Sequence, residues 1–213
     1  MHSEVLLVAA RNRLPRIRCS GGIQARCTAP DTVYLVSAAA TPLGGDTIDI
    51  RVVVEASAVL KLRSAAATVA LPGAKTLTSH TDWTIEVSGT LDVDLEPTVV
   101  AADARHMSTV VLVLHDDGRV RFRERVQIGR CNEREGFWSG SLRADRHDRP
   151  LLRHRVELGA GSVADDSIAA PRATISELCY PTTQFTDMPS ESTVLALAGG
   201  GTLRTWQADR LAG

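Results

Sequence analysis

Apolar and polar residues alternate with a period of two along much of this chain. TIDIRVVVEA (47–56), TLDVDLE (90–96), STVVLVLHDD (108–117), RVRFRERVQI (119–128) and LLRHRVEL (151–158) put Val, Ile and Leu at alternate positions. That is the signature of strands with one buried face. Helical spacing is scarce. It predicts one or two short helices near the C-terminus, one near 173–179 and one over TLRTWQADRL (202–211). In the second, Leu203, Trp206 and Leu211 fall roughly on one face after Gly199-Gly200-Gly201.

The strands recur in units. VVVEASAVLKL (52–62), TIEVSGTLDVDL (84–95) and VLVLHDDGRVRF (112–122) each read strand, small polar turn, strand, with turns near 57, 89 and 118. A spacing of roughly thirty residues suggests stacked layers that bury a shared apolar face. The expected fold class is all-β: stacked β-layers in a β-helix-like or sandwich scaffold, with one or two short helices near the C-terminus. Residues 1–213 are expected to form a single domain. Its 159–213 segment is less regular, because Ser, Thr, Ala, Asp and Pro dilute the alternation there.

Composition narrows the function classes. With 44% hydrophobic and 23% charged residues, the chain can build a sizeable core. A net charge of −1 gives no basic field to gather phosphates, and eight aromatic residues are too few for stacking on single strands. Nucleic acid is therefore not an expected partner. No apolar run reaches membrane-spanning length, and EVLLVAARNRLPRIRC lacks the charged start and cleavage site of a signal peptide. Cysteines at 19, 27, 131 and 179 form no CxxC pair, and are read as reduced thiols of a cytoplasmic protein. The 22 arginines stand against only Lys61 and Lys75. That bias suits protein interfaces and follows equally from a GC-rich coding sequence.

No nucleophile elbow, phosphate loop or dinucleotide fingerprint is present, and the six histidines form no HxH or HExxH pair. No enzyme and no tightly bound cofactor are expected. Two stretches nevertheless carry chemistry. In GGD (44–46), Gly44 and Gly45 permit a tight turn that Asp46 caps through local backbone N–H groups; the same short carboxylate could also line a polar cavity. In RVRFRERV (119–126), Arg119, Arg121, Arg123 and Arg125 share one strand face, read as solvated or as a surface for carboxylates. Glu124 lies on the other face with Val120, Phe122 and Val126. A carboxylate among such neighbours should be paired or face a water-filled space.

Pro42 with the Gly44-Gly45-Asp46 turn before a strand, then Ser64, then Asp94, Leu95, Glu96 and Pro97, then GRCNEREGFWSG (129–140) together resemble, in order and spacing, the UreD (UreH) family of urease accessory proteins. The family pattern begins with a Pro and a Gly-Gly-Asp turn before a strand, matched by Pro42, Gly44, Gly45 and Asp46. A segment ending Thr-Thr-Gln follows, with Ser64 at the second Thr. Asp94, Leu95, Glu96 and Pro97 stand near its Leu-Glu-x-x-Pro. GRCNEREGFWSG (129–140) supplies Gly129, Arg130, Glu135, Phe137 and Gly140 of Gly-Arg-x-x-x-Gly-Glu-x-Phe-x-x-Gly. The likeness covers roughly residues 20 to 160. Departures occur at Arg63, Ala65 and Val69, where the family usually has Thr, Gln and Lys, and at Arg134 in place of Gly.

The resemblance implies a non-catalytic maturation factor that docks on apo-urease, recruits UreF and, through it, UreG, and helps channel Ni²⁺ in transit. A metal in passage needs weak oxygen or imidazole ligands, since a closed cage would trap it. Asp46, Ser64, Glu96 and Glu135 are the residues the resemblance points to for such a path. Asp46 and Glu135 are expected to line a wet passage, and Arg130 to pair with a nearby carboxylate. The 159–200 region and the C-terminal segment are the expected partner contacts. Two other classes stay open on the residues alone: a β-sandwich module for a small ligand or glycan, and a metal-dependent enzyme with a preformed high-affinity site.

Overall fold

A strand buried on one face needs a second layer against it, and a chain of repeated strand–turn–strand units can supply that layer to itself. In the computed structural model, which describes residues 1–163, 165, 170–181 and 189–211, this is how the chain folds. The first strands are β1 (His2–Ala9), β2 (Arg16–Ser20), β3 (Ile23–Ala29) and β4 (Thr32–Ser37). Two full rungs follow: β5 (Thr47–Val54), β6 (Val59–Ser64) and β7 (Thr68–Ala70), then β8 (Thr78–Val87), β9 (Thr90–Asp94) and β10 (Thr98–Val100). A third rung is β11 (Arg105–Leu114) and β12 (Arg119–Ile128). The chain closes with β13 (Phe137–Arg146), β14 (Arg149–Gly159), β15 (Ala173–Tyr180), β16 (Thr193–Ala196) and β17 (Thr202–Ala208).

Within each rung the first strand lies in one sheet and the second in the other. The first sheet runs β14-β13-β11-β8-β5-β1-β2, and the second runs β16-β17-β15-β12-β9-β6-β4-β3, with β7 and β10 attached beside the end of β12. Successive rungs pair in parallel and in register: Val54 meets Val87, and Val87 meets Leu114. The turns stack as well. Ser88 N–H donates to the Val54 carbonyl at 2.8 Å, and His115 N–H to the Val87 carbonyl at 2.9 Å. These are the turns the repeat predicts near 57, 89 and 118, and the fold is the all-β solenoid-like scaffold that the alternation implies.

The helices expected near the C-terminus are not there. The segment near 173–179 belongs to β15, which pairs antiparallel with β12, and most of 202–211 is β17, antiparallel to β15. β15 is buried at every position, on both faces, so alternation is erased from its sequence. Leu203 and Trp206 sit opposite Leu178 and Ile175, and this pairing overrides a helical spacing supported by only three residues.

The outer face of β12 is an ion network rather than a solvated face. Arg121 donates to Glu177 at 2.9 Å, to Asp92 at 2.9 Å and to Asp94 at 3.1 Å. Arg123 also reaches Glu177, at 2.8 Å, while Arg125 binds Asp94 at 3.2 Å and the Leu95 carbonyl at 2.6 Å. Burial alone would lower the pKa of Arg121, but Glu177, Asp92 and Asp94 outweigh it and raise it. These charges tie β9, β12 and β15 together across the sheet.

Candidate functional site

The interior between the sheets is not uniformly apolar. A large apolar cluster contains Trp83, Val110, Val120, Phe122 and Leu142, and a smaller one contains Val100, Val126, Ile128, Trp138 and Leu158. Along β12 the order is Val120 and Phe122 in the large cluster, then Glu124, then Val126 and Ile128 in the small one. Register carries the same break across both sheets. Ser108 lies beside Thr81 and Gly140, while Ser176 sits directly opposite Glu124. A polar layer thus crosses the core between two dry clusters.

A cavity of about 220 Å³ opens along this layer. Its polar wall includes Ser64, Thr81, Glu96, Thr98, His106, Ser108 and Glu124, together with Arg123 and Arg125, whose guanidiniums are paired with Glu177 and Asp94, and its apolar wall includes Ile48, Trp83, Leu95, Phe122 and Trp138. Glu124 is half-buried, because its side chain borders this space. It accepts a 2.9 Å hydrogen bond from the Ser108 hydroxyl. Burial pushes its carboxyl up to about 7, with the Ser108 bond working in the opposite direction. His106 is 4% exposed, and its Nδ1 pairs with the Ser79 hydroxyl at 2.9 Å. Burial, with a smaller effect of His80, lowers its pKa to about 4, so the imidazole is neutral near pH 7. The site therefore offers a carboxyl near its ionisation midpoint, a neutral imidazole and several hydroxyls.

The motif residues divide into two groups. Ser64 and Glu96 meet at the cavity: the Glu96 N–H donates to the Ser64 hydroxyl at 2.9 Å, and both residues line the wall. Asp46 lies elsewhere, in the turn that follows Pro42. It binds the Met1 amino group, accepts from the Leu43 N–H at 2.8 Å and accepts from the Thr41 hydroxyl at 3.0 Å. Burial works to raise its pKa, but the amino group, the Leu43 amide and Thr41 together hold it low. Gly45 adopts φ +94° in this turn, and a side chain at Gly44 would strike the Thr76 carbonyl. These contacts make Asp46 a capping group.

In GRCNEREGFWSG the inward carboxylate is Glu133, not Glu135. Glu133 accepts from the Ala102 and Arg130 N–H groups, both at 3.0 Å, and from the Arg130 guanidinium at 2.9 Å. The Arg130 guanidinium, its amide and the Ala102 amide depress its pKa to about 2. Arg172 braces the same loop, binding the Glu133 carbonyl at 3.0 Å and Asp209 at 2.7 and 2.8 Å. Glu135 is exposed and does not line the cavity. Gly129 takes φ +79° at the start of the loop. Phe137, just after it, carries the Arg105 guanidinium 4.0 Å above its ring. Gly140 faces the polar layer, where a Cβ would collide with the Trp138 ring.

Glu124 was visible in the sequence as a break in the apolar face of β12. His106 and Ser79 were missed. Their signal was parity: His106 and Ser108 fall on the same alternate positions as Val110, Leu112 and Leu114, all of which face inward. Among the described residues, no group of three or more His, Cys, Asp and Glu could enclose a metal ion. None of the four cysteines is in a disulfide, and no described helix is long and apolar enough to cross a membrane.

Fold and site together define a two-sheet β-solenoid scaffold with a polar layer and a cavity through its core. Residues 10–196 match the family model described as UreD urease accessory protein. Urease accessory protein UreD 1 of Saccharopolyspora erythraea is 40% identical over 145 residues, covering 67% of this chain and 57% of that protein. Urease accessory protein UreD of Parafrankia is 42% identical over 120 residues, covering 55% and 40%. Urease accessory protein UreD 3 of Streptomyces griseus is 28% identical over 194 residues, covering 85% and 76%. The chain belongs to the UreD urease accessory protein family. Its match with the first of these relatives spans just over half of that protein's length.

Proposed function

We propose that this chain is a urease maturation factor, a non-catalytic scaffold that docks on apo-urease, recruits UreF and through it UreG, and gives nickel a path toward the urease active site. The observation that carries this reading is the polar layer itself. A core that inserts Glu124, Ser108, His106 and a cavity between two apolar clusters forgoes hydrophobic stabilisation that Val or Leu would provide there. Such a layer makes physical sense where something polar passes. Its donors are oxygens and an imidazole, suited to holding a borderline divalent cation weakly.

In this reading Ser64 and Glu96 receive the metal at the cavity. Asp46 and Arg130 keep their turns in shape, and the exposed Glu135 belongs to the outer surface. The setting is the cytoplasm, with nickel as cargo rather than resident cofactor. The test is a pull-down of the purified chain with apo-urease and UreF, followed by nickel activation, for wild type and for Glu96→Ala and Glu135→Ala. Wild type should bind and promote activation, and Glu96→Ala should bind but activate poorly. Failure of wild type to bind either partner would remove the reading.

A further inference from the structure

Behind Glu124 lies a second, smaller void of about 10 Å³, near the size of one water molecule. Phe122, Glu124 and Trp138 form part of the walls of both spaces. The inner void continues to His154 on β14 and Ser176 on β15, whose Nε2 and hydroxyl lie 3.3 Å apart. Ser176 is 6% exposed, whereas His154 is only half-buried. Polar groups thus extend from the Ser64–Glu96 side of the core, past Glu124, to the seam between the two sheets.

Three features at this point are hard to explain by packing alone. Glu124 is held by the Ser108 hydroxyl on the opposite sheet and stands opposite Ser176 on its own. Gly140 borders the inner void, where any side chain would meet the Trp138 ring. Among the described residues the buried indole N–H of Trp138, a residue that borders both spaces, has no acceptor, and buried donors of this kind call for a polar partner. A side chain that separates two spaces, each carrying polar groups in a mainly apolar wall, can connect them by changing rotamer, and a glutamate can accompany a cation as it does so.

We propose that Glu124 is the gate between the two spaces, and that a divalent cation passing through the core leaves it between β14 and β15, at His154 and Ser176. This rests on the nickel-path reading above and assigns the inner half of that path to residues outside the family motifs. Ser108 is the positioning residue, since it holds the Glu124 carboxylate across the layer. The inner void has room for about one water, so the cation would pass only as Glu124 swings aside, and it would be held weakly, because Glu124, His154 and the hydroxyls form no closed cage.

The experiment compares wild type, Glu124→Gln and Ser176→Val in nickel-dependent activation of apo-urease, with binding to apo-urease measured in parallel. Glu124→Gln keeps shape and hydrogen bonding but removes the anionic ligand, while Ser176→Val closes the inner void with an apolar group. Both variants should bind apo-urease as wild type does and activate it about 10-fold or more slowly, as for other lost metal-supporting groups. Nickel soaked into crystals of the wild-type chain should give anomalous density against Glu124 that is absent from Glu124→Gln. Should Glu124→Gln fail to fold, Ser176→Val carries the test. Wild-type activation rates in the folded variants, or nickel density confined to surface residues, would overturn the route. If wild type itself neither binds nor activates apo-urease, the maturation reading fails instead.

Discussion

Ser108 and Glu124 stand on opposite sheets, and the Ser108 hydroxyl donates to the Glu124 carboxylate at 2.9 Å through the middle of the core. This bond is a polar bridge between layers that meet largely through apolar side chains, and the His154–Ser176 pair at the seam is another. It fixes the one acidic group facing the cavity from β12, and its energetic consequences can be measured without any partner protein.

Glu124 should make the fold less stable as pH rises. Its folded-state pKa is raised from 4.5 to about 7, so the folded chain holds a proton that the unfolded chain releases. The stabilisation is complete below pH 4.5 and is lost as pH climbs through about 7. At about 1.4 kcal/mol per pH unit, the loss approaches roughly 3 kcal/mol. Urea denaturation from pH 4.5 to 8 should show the decline in wild type and a flatter profile in Glu124→Gln.

His106 acts in the opposite direction. Its pKa falls from 6.5 to about 4, so the unfolded chain binds the proton first. Its contribution is present above pH 6.5 and is lost as pH falls toward 4. That loss is again on the order of 3 kcal/mol. His106→Leu should flatten the acid side of the stability profile, and a variant that unfolds in acid as readily as wild type would refute this assignment.

The outer ion network should tolerate loss of its centre badly. The Glu177 side chain is fully buried and bonds both Arg121 and Arg123. Glu177→Ala leaves buried charge behind and should cost about 3–5 kcal/mol. The exposed Arg51–Glu86 pair is the control, since Arg51→Ala should change stability by about 0.5 kcal/mol or less. Equal losses in the two variants would mean that the network is no more than surface charge.

Within the 129–136 loop, Glu133 and Glu135 should behave differently. Only Glu133 accepts backbone N–H groups, those of Ala102 and Arg130. Hydrogen exchange at these two amides should accelerate in Glu133→Ala and stay unchanged in Glu135→Ala.

Strands, rungs and stacked turns were legible because a repeated period-two pattern states its own buried face. The polar layer was half legible: Glu124 broke that pattern, whereas His106 sat silently at inward parity. β15 was misread because burial on both faces removes the alternation by which strands are recognised. The choice between Glu133 and Glu135 lies beyond sequence pattern, since it depends on how a loop folds back onto Ala102 and Arg172. Motif position alone favours Glu135, and loop geometry turns Glu133 inward.

The most direct measurement is nickel activation of purified apo-urease with UreF and UreG, in the presence and absence of this chain. Activation that depends on the chain, accompanied by its recovery in complex with apo-urease, is the predicted result. The same rate and extent of activation with and without the chain would contradict a role in urease maturation.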